Sequence, residues 1–129
     1  MTHVFNDDWK VVLAALESGE YEQCKGALHN GHEYCCLGVM SKVLLGDPEI
    51  FIQDDGKAAF GWEQTGEFAP ASVEHRLGLR SVIGDLSGAE LNGKKSLADA
   101  NDAGATFAEI AAFIREHPYA VSKRWRAEE

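Results

Sequence analysis

The segment Tyr34-Cys35-Cys36-Leu37-Gly38-Val39-Met40 restricts what this chain can fold into more than any other. Cys36, Val39, Met40 and Val43 fall at helical spacing, and the run ends at Gly46 before Asp47-Pro48, where a helix does not continue. The spacing predicts a buried helix opened by two cysteines. Free cysteine is among the most buried residue types and behaves as a small apolar side chain, so Cys36 reads as core. Gly38 is suited to a place where another backbone comes close, and Tyr34 and Cys35 are placed to line a neighbouring pocket.

The chain has 129 residues, enough for one domain with its own core. Apolar residues make up 45% and charged residues 26%, a composition that folds rather than stays disordered. No run approaches the roughly 20 apolar residues of a membrane helix. The stretch from Met1 to Lys10 lacks the basic and apolar blocks of a signal peptide. A cytoplasmic protein with no membrane partner is expected. Twelve Lys and Arg stand against 21 Asp and Glu, and the net charge of −9 argues against duplex nucleic acid as a partner. Cys24, Cys35 and Cys36 are an odd set, and adjacent cysteines pair only in a strained ring, so reduced thiols are expected.

Local patterns predict the remaining elements. Asn6 or Asp7 caps an amphipathic helix through Trp9, Val12, Leu13 and Leu16 that stops at Gly19. Asn30-Gly31 signals a short hairpin or irregular loop. Asp55-Gly56 suits a two-residue hairpin turn, which sets Phe51 opposite Phe60; Asn92-Gly93 suits a second, with Glu90 opposite Lys95. Pro70 opens a short helix through Val73 and Leu77, with Gly78 as the stop. Asn101, Asp102 and Gly104 read as a turn leading into a last helix, where Thr106 and Glu109 form a capping box before Phe107, Ile110, Ala111 and Ile114. That helix stops near Pro118, and residues 121–129 read as a frayed basic tail. The expected fold is α+β, three to four helices on a small antiparallel sheet in a single domain over 1–129.

Three constellations could carry chemistry. Cys24, His29, His32, Cys35 and Cys36 are residues of zinc-binding type, but they lie in one segment without a distant second pair, so no metal or other cofactor is assigned. A thiol at a helix N-terminus can be activated, which makes Cys35 or Cys36, with His75 or His117 as base and Asn101 or Asp102 as orienter, the alternative reading of a cysteine hydrolase or transferase. Sequestering a small nucleotide-like signal would need a phosphate-facing arginine or lysine, a stacking aromatic such as Trp62, Tyr34 or Trp125, and a pocket mostly closed to water. Ligand or partner binding is assigned to Tyr34, Cys35, Trp62, Arg76, Asn101 and Asp102.

These motifs together resemble a family of small proteins encoded by tailed phages and prophages. The resemblance runs through Trp9, Ala15-Leu16, Ser18-Gly19, Tyr21 and Gln23, then Gly26, Leu28 and Tyr34 to Val39. It continues with Pro70, Val73 and Leu77 to Leu79, and ends with Asn101-Asp102, Gly104, Phe107, Glu109 to Ala111 and Ile114. Ala100 and Met40 stand where the pattern has leucine, and Thr106 replaces serine with the same capping chemistry. The resemblance implies a phage-type accessory that blunts host defence by gripping a host protein or sequestering a small signal. Self-association stays open.

Overall fold

In the computed structural model the described residues are 2–4, 7–30, 33–63, 65, 68–123 and 126–128. In chain order the elements are β1 (Thr2–Val4), α1 (Asp7–Glu17), β2 (Glu22–Gln23), β3 (His29–Asn30), β4 (Glu33–Tyr34), α2 (Cys36–Leu45), β5 (Glu49–Ile52), β6 (Ala58–Gly61), α3 (Ala71–Leu77), α4 (Leu97–Asp102), α5 (Phe107–Glu116), α6 (Pro118–Val121) and β7 (Arg126–Glu128). The class is α+β. Its organisation differs from a helical layer on one sheet: among the described residues six helices surround a shared core, and the strands form three separate small sheets. None of the helices among the described residues is long and apolar enough to cross a membrane.

The core assembles around α2, which contacts α1, α3 and α4, while α5 closes over α1. Trp9, Val12, Leu13 and Leu16 bury the inward stripe of α1, as their spacing predicts, and the Trp9 indole N–H reaches the Leu77 carbonyl at 2.9 Å. Helix α2 is buried on every side at its start: Cys36, Leu37, Gly38, Val39, Met40 and Ser41 are all enclosed. Its Ser41 hydroxyl is satisfied within the helix by the Leu37 carbonyl at 2.9 Å. The close approach expected at Gly38 is to Leu28, whose carbonyl oxygen would lie 1.8 Å from a Cβ at that position. That carbonyl accepts the Cys35 N–H at 3.0 Å, so strand and helix meet without room for a methyl group.

The C-terminal half follows its caps. The reciprocal Thr106–Glu109 bonds form the predicted box and start α5, whose Phe107, Ile110, Ala111, Phe113 and Ile114 are buried. Ser96 caps α4, which takes in Asn101 and Asp102, so the turn expected from Asn101 begins only at Ala103 and Gly104; six residues are too few to show a helical period in the sequence. Pro118 ends α5 and opens α6, in keeping with proline's tolerance at a helix start. The tail does not fray from residue 121: Val121 and Ser122 are buried, and β7 pairs antiparallel with β1. Ser122 is held by its hydroxyl bond to the Leu77 carbonyl at 2.6 Å.

Two turn expectations need correction. The β5–β6 hairpin turns through three residues, Asp54, Asp55 and Gly56, with Gly56 at φ 82° and bonds from Gly56 N–H to the Gln53 carbonyl and from Gln53 N–H to the Lys57 carbonyl. A type I turn followed by a left-handed glycine adds one residue to the loop. The register therefore shifts, so that Phe51 faces Ala59 and Phe60 faces Ile50. The Asn92-Gly93 turn forms, both residues at positive φ, but pairing stops at Leu91 and Lys94, and the chain beyond turns to other partners, the Lys95 carbonyl accepting the Leu86 N–H and Ser96 bridging Asp85. Strands β3 and β4 form an antiparallel hairpin, and β2 joins β4 in parallel; Asn6, Gly31 and Trp125, to which cap, turn and stacking roles were assigned, lie outside the described residues.

Replacing Gly38 with alanine tests the close approach. The added methyl group must displace a backbone carbonyl, so Gly38→Ala is expected to cost about 3 kcal/mol in urea unfolding, the upper part of the overpacking range. A change below about 0.5 kcal/mol, the scale of a neutral surface substitution, would show that α2 does not sit against Leu28.

Candidate functional site

The residues singled out in the sequence converge on the N-terminus of α2, where Asn101 organises a buried polar junction. Its side-chain oxygen accepts from the Gln23 amide at 2.7 Å and from the Cys36 N–H at 3.1 Å. Its amide donates to the Cys24 carbonyl at 2.8 Å and, more weakly, to Asp102 at 3.4 Å. An asparagine side chain has four such bonds to make, and here all four are used. Gln23 also reaches the Ala105 carbonyl at 2.6 Å, and Asp102 accepts the Gly26 N–H at 3.0 Å. The junction thereby ties β2 and the loop after it to α2, α4 and the start of α5.

Cys35 is the N-cap of α2, its sulfur accepting the Gly38 N–H at 3.4 Å. The amides of Gly38 and Leu37 favour the thiolate, but burial outweighs them and pushes the Cys35 thiol from its ordinary 9.0 up to about 12. Burial pushes Cys36 up as well, helped by the neighbouring Cys35 and only partly offset by the Leu37 amide. Its sulfur points to the Leu97 carbonyl at 3.6 Å. Cys24 is raised by burial and by the nearby carboxylates of Glu33 and Asp102. An activated nucleophile requires the opposite shift. His75, offered as its base, is exposed on α3.

The aromatic and cationic groups are likewise engaged in the fold. Trp62 is buried and its indole N–H donates to the Gly46 carbonyl at 2.8 Å, fastening the end of α2. Tyr34 lies between Tyr21, edge-on at 5.6 Å, and Trp62 at 6.4 Å. Arg76 grips Asp8 with two nitrogens, at 2.7 and 3.1 Å, and gives a third to the Leu44 carbonyl at 3.0 Å. Asp102 is the accessible member of the group and lines an open hollow of about 410 Å³ with Lys94, Asp99 and Ala103. Among the described residues no group of three or more His, Cys, Asp and Glu could hold a metal; His32 and the side chain of His29 lie outside them.

Sequence reasoning assigned no role to the surface that the fold leaves open. Ile50 and Ile52 lie on one face of β5 with 62% and 69% exposure, and Phe60, opposite Ile50, is 55% exposed. A groove of about 520 Å³ runs along β5, lined by Glu49, Ile50, Phe51, Ile52, Gly61 and Glu63. The usable signal was Ile50-Phe51-Ile52, an unbroken apolar run in a strand too short and too peripheral to be buried on both faces. Glu63 at one end is partly committed: it accepts from both the N–H and the hydroxyl of Ser72, bonds that lower its carboxyl below the usual range.

The model of a family described as a domain of unknown function, DUF8296, matches residues 1–118. The chain belongs to that family. No curated protein and no solved structure matches it.

Three measurements test the junction and its thiols. Asn101→Ala orphans the Cys36 N–H and the Cys24 carbonyl together and is expected to cost about 3 kcal/mol in urea unfolding, each unsatisfied buried group contributing roughly 1–3 kcal/mol. A loss below about 1 kcal/mol would remove Asn101 as the organiser. The second concerns pH. Between 9.0 and about 12 the folded Cys35 keeps a proton that the unfolded chain releases, so stability is complete below this window and falls as pH rises through it. Cys35→Ser, which retains a capping oxygen, is expected to lessen that fall, leaving the part that comes from the likewise raised Cys36 and Cys24. Iodoacetamide should label Cys35 and Cys36 far more slowly in the native than in the urea-unfolded protein at pH 7.5; a fast native site would restore the thiol-nucleophile reading.

Proposed function

We propose that this chain is a non-enzymatic binding protein that grips a protein partner through the β5–β6 hairpin, serving as a phage-type accessory in the host cytoplasm against a host defence protein. The observation that carries the binding reading is the exposed face of Ile50 and Ile52. Large apolar side chains grouped on a surface cost solvation in isolation and mark interaction sites. Carboxylates flank them: Glu49, Asp54, Asp55 and Glu63 fall in the hairpin and its end, against Lys57, while Asp47 is paired with Lys42. Such a surface suits a partner that offers an apolar patch within a basic rim.

The phage setting is supported by the motif resemblance, and the net charge of −9 favours a basic partner. Sequestration of a nucleotide-like signal has less support, because a phosphate site needs uncommitted cations and an open aromatic face. Arg76 is held by Asp8 and Leu44, Trp62 is buried, and Asn101 has no bond left to offer.

Native mass spectrometry of the chain purified from phage-infected, defence-expressing cells tests the reading. A stoichiometric complex with a host protein is expected, lost in Ile52→Lys while thermal stability is retained. A discrete ligand of a few hundred daltons in place of a protein partner would overturn the reading in favour of sequestration.

A further inference from the structure

We infer that the hairpin binds its partner by strand addition: the free edge of β5 accepts an extended segment in which apolar residues alternate with lysine or arginine. The inference rests on the binding role assigned to the hairpin and specifies the chemistry of what binds.

The register decides which backbone groups are available. Gln53 and Lys57 form a hydrogen-bonded pair next to the turn, and such pairs alternate along an antiparallel ladder. Phe51–Ala59 and Glu49–Gly61 are then the inward-bonded pairs, whereas Ile50–Phe60 and Ile52–Ala58 are the pairs whose N–H and C=O groups point outward. On β5 the outward groups are therefore two donors and two acceptors, on Ile50 and Ile52. No third strand among the described residues joins this sheet. The groove of about 520 Å³ follows this strand, being lined by four consecutive residues of β5 together with Gly61 and Glu63.

Alternation and charge select the occupant. In an added strand, side chains on the face of Ile50 and Ile52 meet apolar surface, and those on the other face meet Glu49 and Phe51, with Glu63 also in the groove. Apolar residues on the first face and cations on the second satisfy both. A second copy of this chain satisfies only the first: edge-to-edge pairing could match apolar faces but would set β5 and its acidic flanks against their own like charges, between molecules each carrying −9.

The test uses the full chain and a dye-labelled peptide of alternating lysine and valine, with fluorescence anisotropy for binding and amide exchange by NMR for its location. Saturable binding is expected, with the Ile50 and Ile52 amides slowed about tenfold or more and Ala58 and Phe60 unchanged. Glu49→Lys should weaken binding by about tenfold. A peptide of alternating glutamate and valine should not bind, and N-methylation of the edge-facing peptide amides should abolish binding. Equal binding of the N-methylated peptide would overturn strand addition while leaving the apolar face as a docking site. Failure of every peptide, with a host complex still disrupted by Ile52→Lys, would overturn the inference and spare the binding role. Slowed exchange of the same amides with rising protein concentration alone would make a second copy the occupant and overturn it as well. Absence of any host complex would count against the binding role itself, whatever the peptide does.

Discussion

The carboxamide of Asn101 is the interaction on which the rest of the structure depends. It is fully buried and bonds to the chain on both sides of the β2–β4 excursion, at the Cys24 carbonyl and the Cys36 N–H, while also holding Gln23. A buried group in that position must be satisfied completely or cost several times a surface bond. Its geometry therefore sets where α2 begins relative to α4. Gly38 then lets the helix lie directly against Leu28, and the enclosed start of α2 becomes the surface on which α1, α3 and α4 assemble.

That arrangement explains why the most suggestive segment of the sequence is structural. Cysteine, tyrosine, asparagine and glutamine around a helix N-terminus are the vocabulary of an active site, yet here each is spent on closing the core. Cys35 caps, Cys36 fills, Asn101 and Gln23 bond to backbone, and Tyr34 packs between Tyr21 and Trp62. Burial raises the thiols when nucleophilic chemistry would need them lowered. The ion pair of Arg76 with Asp8 and that of Arg115 with Glu17 draw two cations into contacts between α1 and its neighbours. The most exposed large apolar side chains among the described residues, Ile50, Ile52 and Phe60, lie instead at the hairpin, the surface to which binding is proposed.

One residue in a turn controls that surface. With a two-residue loop, Phe51 and Phe60 would face each other across the hairpin; the extra residue that Gly56 accommodates shifts the pairing so that Phe60 lies beside Ile50. Because strand side chains alternate, a single-residue slip reassigns a whole strand to the opposite face. Which side chains face each other across the hairpin, and which backbone groups of β5 point outward, follow from that turn.

Features that depend on neighbours in sequence were legible without a structure: the stripe of α1, the Thr106–Glu109 box, Gly78 after α3, the buried start of α2 and the closeness required at Gly38. Each follows from periodicity, from a cap whose partner lies within one helical turn, or from a missing side chain. Helix α4, the fastening of the tail and the fate of the polar residues were not legible, because they depend on contacts such as Gln23 to Ala105 or Ser122 to Leu77. The sequence by itself determined the buried stripes of α1, α3 and α5, the buried start of α2, and the caps and stops of those helices, since periodicity and capping act locally. Only the tertiary structure decided which polar groups were consumed and which face stayed open, because satisfaction of a hydrogen bond is a property of two distant partners and cannot be read from either one.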